Sequence, residues 1–336
     1  MDKRVIFAVA GSGKTTYIVN NLTSAKRSLI VTYTIANCDN LRRKITEKFN
    51  GNWPPNVTLL SYFSFLHGFC YKPFLSDIYK THGIIYKPNP NRFEKQTDLS
   101  YFMTESRYLY SNRLSLFMEK QGIVEDIKER ICKYFDEFII DEVQDIAGRD
   151  FVFLEKLMTS PLNMLFVGDF YQHTFDTSQD GNANSKLFEN KKTYESRFTK
   201  RGIKVDNTTL KNSWRCSQNI CQYIRDNLGI DISSNRKEYD NTSIAFIDNK
   251  QQIDSIIMND KIIKLHYQNA AKAGFCHKNW GETKGEDCYH DVFVMLNKKT
   301  AKERVANRLA ELPQSTKNKL YVAITRAKGN VYLVNE

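Results

Sequence analysis

The chain has no apolar run long enough to cross a bilayer. Its longest apolar stretches, such as NMLFVG at 163–168 and IIKLHY at 262–267, are strand-sized, whereas a span needs roughly 18 consecutive apolar residues. It has no cysteine pair in a CxxC spacing either. Seven cysteines, at 38, 70, 132, 216, 221, 276 and 288, are scattered and odd in number, which argues against a disulfide framework and for reduced, mostly buried thiols. Cys276-His277 and Cys288-x-His290 would make a zinc site only if the fold brought them together, because paired ligand spacing is missing. The N-terminus, MDKRVIFAVAGSGK, offers six apolar residues before its glycines and lysine, too few for a signal-peptide core, so a cytoplasmic location is expected. Internal repeats and low-complexity tracts are lacking too.

With 336 residues the chain fits two domains. Basic residues number 49 against 38 acidic ones, a net charge of +11 with a pI near 9.1; that balance suits a polyanionic partner such as nucleic acid, or simply keeps the protein soluble. Strand-like runs at 4–10, 28–34, 57–63, 137–142 and 163–169 are apolar on both faces, as strands of a helix-covered parallel sheet read. Helical stretches between them predict α/β topology. From about 69 to 131 the chain turns polar, tyrosine-rich and helix-prone with no clear strand, a helical insertion. A second α/β pattern follows residue 198, with strands at 243–248, 261–267, 291–296 and 330–335 and helices at 219–228 and 301–312. The expected domains are therefore 1–198 and 199–336, with 177–186 as the best linker candidate.

AVAGSGKTT at 8–16 stands between the first strand and an apparent helix, TTYIVNNL. This is the context of a phosphate-binding loop, in which glycines let successive N–H groups face a phosphate. Ala10, Gly11, Ser12, Gly13, Lys14, Thr15 and Thr16 would hold the nucleotide, with Lys14 on the β and γ phosphates and the Thr15 hydroxyl on Mg²⁺. Ala8 stands where the strict pattern has glycine. A loop of this kind needs a second strand that ends in an aspartate for the metal. FIIDEVQD at 138–145 ends that way: Asp141 would take the cation and Glu142 would act as general base toward the attacking water. The same acids could instead cap the following helix, though capping does not need two adjacent carboxylates.

DEVQD resembles the DExQD box of superfamily 1 helicases of the UvrD/Rep class. Further segments resemble that family's motifs in order: VTYTIANCDNLRRKI at 31–45, LSYFSFLHGF at 60–69, FVGDFYQHTF at 166–175, LKNSWRCSQNI at 210–220, WGETKGEDCYHDVFV at 280–294 and KLYVAITRAKGNVYLV at 319–334. The resemblance implies two RecA-like parallel-sheet domains, the first with the small helical insertion, with ATP in the cleft between them. It implies that Gln172 senses the γ-phosphate or its water, that Trp214 stacks on adenine, that Gly285 and Asp287 belong to the nucleotide site, and that Arg215 and Arg326 are arginine fingers. It further implies that Thr34, Ser61, Tyr62, Ser64 and Phe175 contact a nucleic-acid strand, Phe175 by stacking; each of these could equally serve the core or the surface.

Departures from the pattern are Phe63 for a usual histidine, Gly281 where histidine is common, Asp287 for glutamate, and the lack of an adenine-reading glutamine before the loop. The stretch from Cys216 to Thr283 is too short for the large inserted subdomain of UvrD and Rep, so a compact form without attached nuclease is expected. The resemblance thus implies an ATP- and Mg²⁺-dependent translocase or helicase on single-stranded DNA, moving 3′ to 5′, with RNA not excluded and a protein partner such as a nuclease conceivable. The alternative is a nucleotide-dependent switch ATPase that regulates a nuclease or defence complex without unwinding DNA.

Overall fold

The computed structural model describes residues 1–91, 93–174, 183–236, 241–272 and 276–336. They form two compact units. The first comprises Met1–Ile6, Thr15–Gly168 and the described part of Phe175–Asp206; the second comprises Phe7–Lys14, Asp169–Thr174 and the described part of Asn207–Glu336. The linker candidate at 177–186 falls mostly outside the described residues.

The sheet of the first unit contains β1 (Lys3–Phe7), β2 (Ser28–Thr32), β3 (Val57–Ser61), β4 (Glu137–Asp141), β5 (Asn163–Gly168) and β6 (Lys204–Asp206), in the spatial order β3-β2-β4-β5-β1-β6. Its recorded pairings are parallel. All five residues of β2 are buried, as are the last four of β4, which is why these strands read as continuous apolar runs rather than alternating ones. Helix α1 (Lys14–Asn21) follows β1, and α2 (Ile35–Lys48) follows β2. Phe138 of β4 packs edge-on against Phe166 of β5 at 5.9 Å and tilts against Phe65 at 5.5 Å, tying the sheet to the start of the insertion.

That insertion is helical as expected, but it also holds a small feature the sequence did not announce. Gly83–Ile85 and Tyr108–Tyr110 pair as short parallel strands. Three residues are too few for a readable period. The segment Ser64–Tyr71 is a π-helix, with the Lys72 amide donating to the His67 carbonyl, a rare winding that occurs mostly at functional sites.

The sheet of the second unit contains β7 (Ile244–Phe246), β8 (Ile263–His266), β9 (His277–Asn279), β10 (Val292–Leu296) and β11 (Val331–Asn335), all parallel, in the order β7-β11-β10-β8-β9. Its core joins Val292, Val294 and Leu333 of the sheet to Ile220, Ile224 and Leu228 of α3 (Gln218–Leu228) and to Leu320, Tyr321 and Ile324 of α5 (Gln314–Ile324). The single helix expected at 301–312 is two pieces: α4 (Lys298–Val305) and a 3₁₀ turn at Leu309–Glu311. Asn307 between them takes the left-handed conformation, φ +54°, a common way for asparagine to end a helix. Both units are RecA-like, α/β with parallel sheets.

The start of β4 is anchored by charge. Arg27 donates to Asp136 through its backbone N–H at 2.8 Å, Nε at 3.2 Å and Nη2 at 2.7 Å. Hydrogen bonds from the Arg27 side chain and backbone pull the Asp136 carboxyl down from 3.8 to about 2. A depressed carboxyl favours the folded state above its unfolded pKa, and that contribution is lost as pH falls through the folded value. In urea unfolding, Asp136→Asn should therefore lower the midpoint at pH 6, and the gap to wild type should narrow between about pH 4 and 2. A gap independent of pH would remove the ion pair as its cause.

Candidate nucleotide and nucleic-acid site

The parallel register of the first unit brings strand ends to one level. Thr32 of β2 lies opposite both Ser61 of β3 and Asp141 of β4, and Asp141 lies opposite Val167 of β5. The candidate residues of this half cluster just past those ends, where ligands bind in open parallel sheets. Thr15 Oγ1 is 3.5 Å from Asp141 Oδ2, close enough for both oxygens to reach one cation. Thr16 is exposed, and its hydroxyl accepts from Lys44 Nζ at 2.8 Å.

Glu142 follows with φ +58° and ψ 48°, a left-handed backbone that costs a non-glycine residue of order 1 kcal/mol and clusters at functional sites. Its side chain is held: Gln144 Nε2 donates to Glu142 Oε2 at 2.7 Å. The other side of the Gln144 amide sits on Gly168. A Cβ at Gly168 would collide with Gln144 Oε1 and lie 2.9 Å from Val143 Cγ1. The glycine is thus required by close approach, since its φ is not left-handed.

Residues 8–13, the loop between β1 and α1, belong to the second unit. Gly11 and Gly13 have φ +68° and +88°, the conformations that let a loop turn its amides to one side. Gly11 is also packed tightly, because an added Cβ would lie 2.5 Å from Arg215 Cβ and 2.8 Å from Ser213 Oγ. The Trp214 amide donates to the Gly11 carbonyl at 2.8 Å. Ser213 Oγ in turn accepts from the amides of Arg215 at 3.2 Å and Cys216 at 3.0 Å, so a serine turn fixes the stretch that carries Trp214 and Arg215. Trp214 itself is 67% exposed and is therefore not a core aromatic.

Tyr321 of α5 is a residue that sequence reasoning missed. Its buried hydroxyl accepts from the Ala10 amide at 2.9 Å and donates to Asp169 Oδ2 at 3.2 Å. Burial, and then the charge of Asp169, push its pKa well up, so it remains a neutral donor. The one signal for it in the sequence is its place in KLYVAITRA, the segment that also carries Arg326. Asp169 also caps the short turn Phe170–Gln172, accepting from the Tyr171 amide at 3.1 Å, and Gln172 is buried within that turn.

The two arginines take different surroundings. Arg215 Nε pairs with Asp287 Oδ1 at 2.5 Å and its Nη1 donates to the Thr325 carbonyl at 3.0 Å. Partial desolvation by its neighbours would raise the carboxyl of exposed Asp287, but the charge and hydrogen bond of Arg215 and the charges of Lys328 and Arg326 outweigh it and hold the group below its usual range. Arg326 is 1% exposed and donates to the carbonyls of Val322, Thr283 and Glu286 at 3.1–3.3 Å. It therefore shapes the loop that carries Gly285, whose φ is +85°.

Of the residues expected to meet a nucleic acid, Thr34 caps α2, accepting from the Asn37 amide at 3.1 Å. Ser61 Oγ and exposed Ser64 Oγ are 2.8 Å apart, and Tyr62 is buried. Phe175 lies outside the described residues. Among the described residues no group of three or more His, Cys, Asp or Glu is arranged to hold a metal; His277 Nδ1 instead meets His266 Nε2 at 2.7 Å. No described helix is long and apolar enough to cross a membrane.

The loop fits a phosphate-bearing ligand on its own chemistry. Two glycines in left-handed conformations flank Ser12, whose Oγ is buried and has no hydrogen-bond partner among the described residues. Such an atom costs free energy unless something else satisfies it.

No family model matches this chain, and no curated protein matches it. Solved structures do. The helicase of PRRSV superposes with a TM-score of 0.50 at 14% identity, covering 99% of this chain and 52% of that one. Arterivirus nonstructural protein 10, a helicase in complex with DNA, gives 0.51 at 14% identity, covering 99% and 60%. The chain thus spans between half and three fifths of these neighbours, and at such identity the likeness establishes the fold.

Gly168→Ala should destabilise the protein by about 1–3 kcal/mol through overpacking against Gln144 and Val143. Adding Gln144→Ala should return part of that loss, because the two sites are in contact and do not add. Thermal unfolding of the single and double variants measures this; full additivity would show that the amide does not rest on the glycine.

Proposed function

We propose that this protein is a superfamily 1 motor of the compact UvrD-like type: an ATPase that moves along single-stranded nucleic acid and unwinds duplex, on DNA and in the 3′ to 5′ sense that the motif resemblance implies. The observation that carries the reading is the pairing of Thr15 with Asp141, a hydroxyl next to the loop lysine and a carboxylate at the end of β4, 3.5 Å apart. That is the donor set a P-loop NTPase uses for magnesium. A neighbour of the same fold that was solved with DNA adds support, as does the net charge of +11, which favours phosphate contacts.

In this reading, residues 10–16 hold the triphosphate and Ser12 Oγ gains its missing partner. Thr15 and Asp141 would hold Mg²⁺, which would supply positive charge against the triphosphate. Glu142, aimed by Gln144, takes the proton of the attacking water. Arg215 offers a guanidinium whose present partner, Asp287, is exposed and can be exchanged for phosphate oxygens. Arg326 acts through the 283–286 backbone, and Gln172 and Trp214 keep the γ-phosphate and adenine roles. Tyr321, tied to both Ala10 and Asp169, is a positioning residue.

Phosphate release should rise several-fold on adding single-stranded DNA, and a tailed duplex should lose its strand in the presence of ATP. Hydrolysis without strand release would favour a switch ATPase; a preference for RNA in parallel reactions would reassign the track. Glu142→Gln should retain nucleotide binding and lose about 10²–10⁴-fold in turnover. Unchanged turnover in that variant would end the assignment of the base.

A further inference from the structure

Past the ends of β2 and β3 the first unit carries four aromatic rings in series. Tyr62 is 3% exposed and forms the root. Tyr33 lies 6.2 Å from it and 6.0 Å from Phe63, and Tyr62 and Phe63 meet at 5.6 Å. The fourth ring, Tyr86, stands edge-on to Phe63 at 5.1 Å and is 66% exposed. It comes from the insertion, directly after the short strand Gly83–Ile85, whose pairing with Tyr108–Tyr110 fixes its backbone.

Three physical points bear on what this series does. Its geometry is set from below: the buried root and the parallel pair hold the outer rings in place without help from a ligand. Polar groups adjoin it in the chain, namely the Ser61–Ser64 hydroxyl pair on either side of Tyr62 and Phe63 and exposed Lys87 after Tyr86. It stands at the carboxyl edge of a parallel sheet, where ligands bind, and directly before the π-helix that starts at Ser64. Rings next in the chain to hydroxyls and a lysine suit a strand whose bases stack and whose phosphates need counter-charge, as does the net charge of +11.

We infer that Tyr86 is a base-stacking residue for single-stranded nucleic acid, so that the insertion adds a binding site to the motif-bearing edge of the sheet. The inference rests on the nucleic-acid reading above and extends it to a residue outside every motif quoted. Because Tyr86 is 66% exposed, its replacement should lower stability by no more than its edge-on contact with Phe63 supplies, and leave the protein folded.

The test is the affinity of a fluorescent oligo-dT for the full chain, read by anisotropy at fixed salt without nucleotide. Tyr86→Ala should weaken binding about 5- to 100-fold, the range expected for one stacked base. Tyr86→Phe should bind like wild type, since stacking needs the ring and not the hydroxyl. Equal affinity of Tyr86→Ala and wild type would overturn the stacking role and leave the motor reading standing. A phenylalanine variant as weak as the alanine one would overturn it too. A wild type that binds no single strand would overturn both.

Discussion

Because β2, β3, β4 and β5 run parallel in a common register, each delivers its chemistry at the same edge of the sheet. Thr32 opposite Ser61 and Asp141, and Asp141 opposite Val167, fix where Tyr33, Tyr62, Glu142 and Gly168 must begin. Side chains alternate in facing along a strand, so a slip of one residue would turn each strand's outward set inward. Burial on both faces of β2 and β4 makes such a slip costly. The dry strands therefore determine the position of polar residues that they do not themselves contain.

A second constraint is close approach, and it recurs at two glycines. Gly168 gives room to the Gln144 amide that holds Glu142, and Gly11 gives room to Arg215 and Ser213 beneath the loop. In both places the missing Cβ leaves room for a neighbouring side chain that holds, or is, a group assigned to chemistry. Tyr321 does the same through its hydroxyl, which joins the Ala10 amide to Asp169. Gly168, Gln144 and Tyr321 touch no ligand in the proposed scheme, yet they set the angles of residues that would.

The strands were legible because a covered parallel sheet leaves continuous apolar runs, and FIIDE and NMLFVG are such runs. The loop was legible because GSGKT between strand and helix is a local pattern. What escaped reading was set by partners distant in the chain. Nothing near Tyr321 announces Ala10, and nothing near Arg326 announces the carbonyls of 283 and 286. The parallel pair at 83–85 and 108–110 is too short to show a period. Thr34 is the opposite case: its capping hydrogen bond to the Asn37 amide is a local feature of a kind a sequence can announce.

The edge formed by these strands is an expensive one. Asp141, Glu142, Gln144, Asp145 and Asp150 are all buried, and taking carboxylates out of water costs several kcal/mol each unless charge and hydrogen bonds compensate. The left-handed backbone of Glu142 adds strain at the same place. A sheet that needed only to be stable would end these strands in residues with no desolvation penalty, because apolar replacements of buried ionic groups are commonly neutral or stabilising. In the proposed scheme the hydroxyl of Thr15 facing Asp141 marks the position at which a cation would sit.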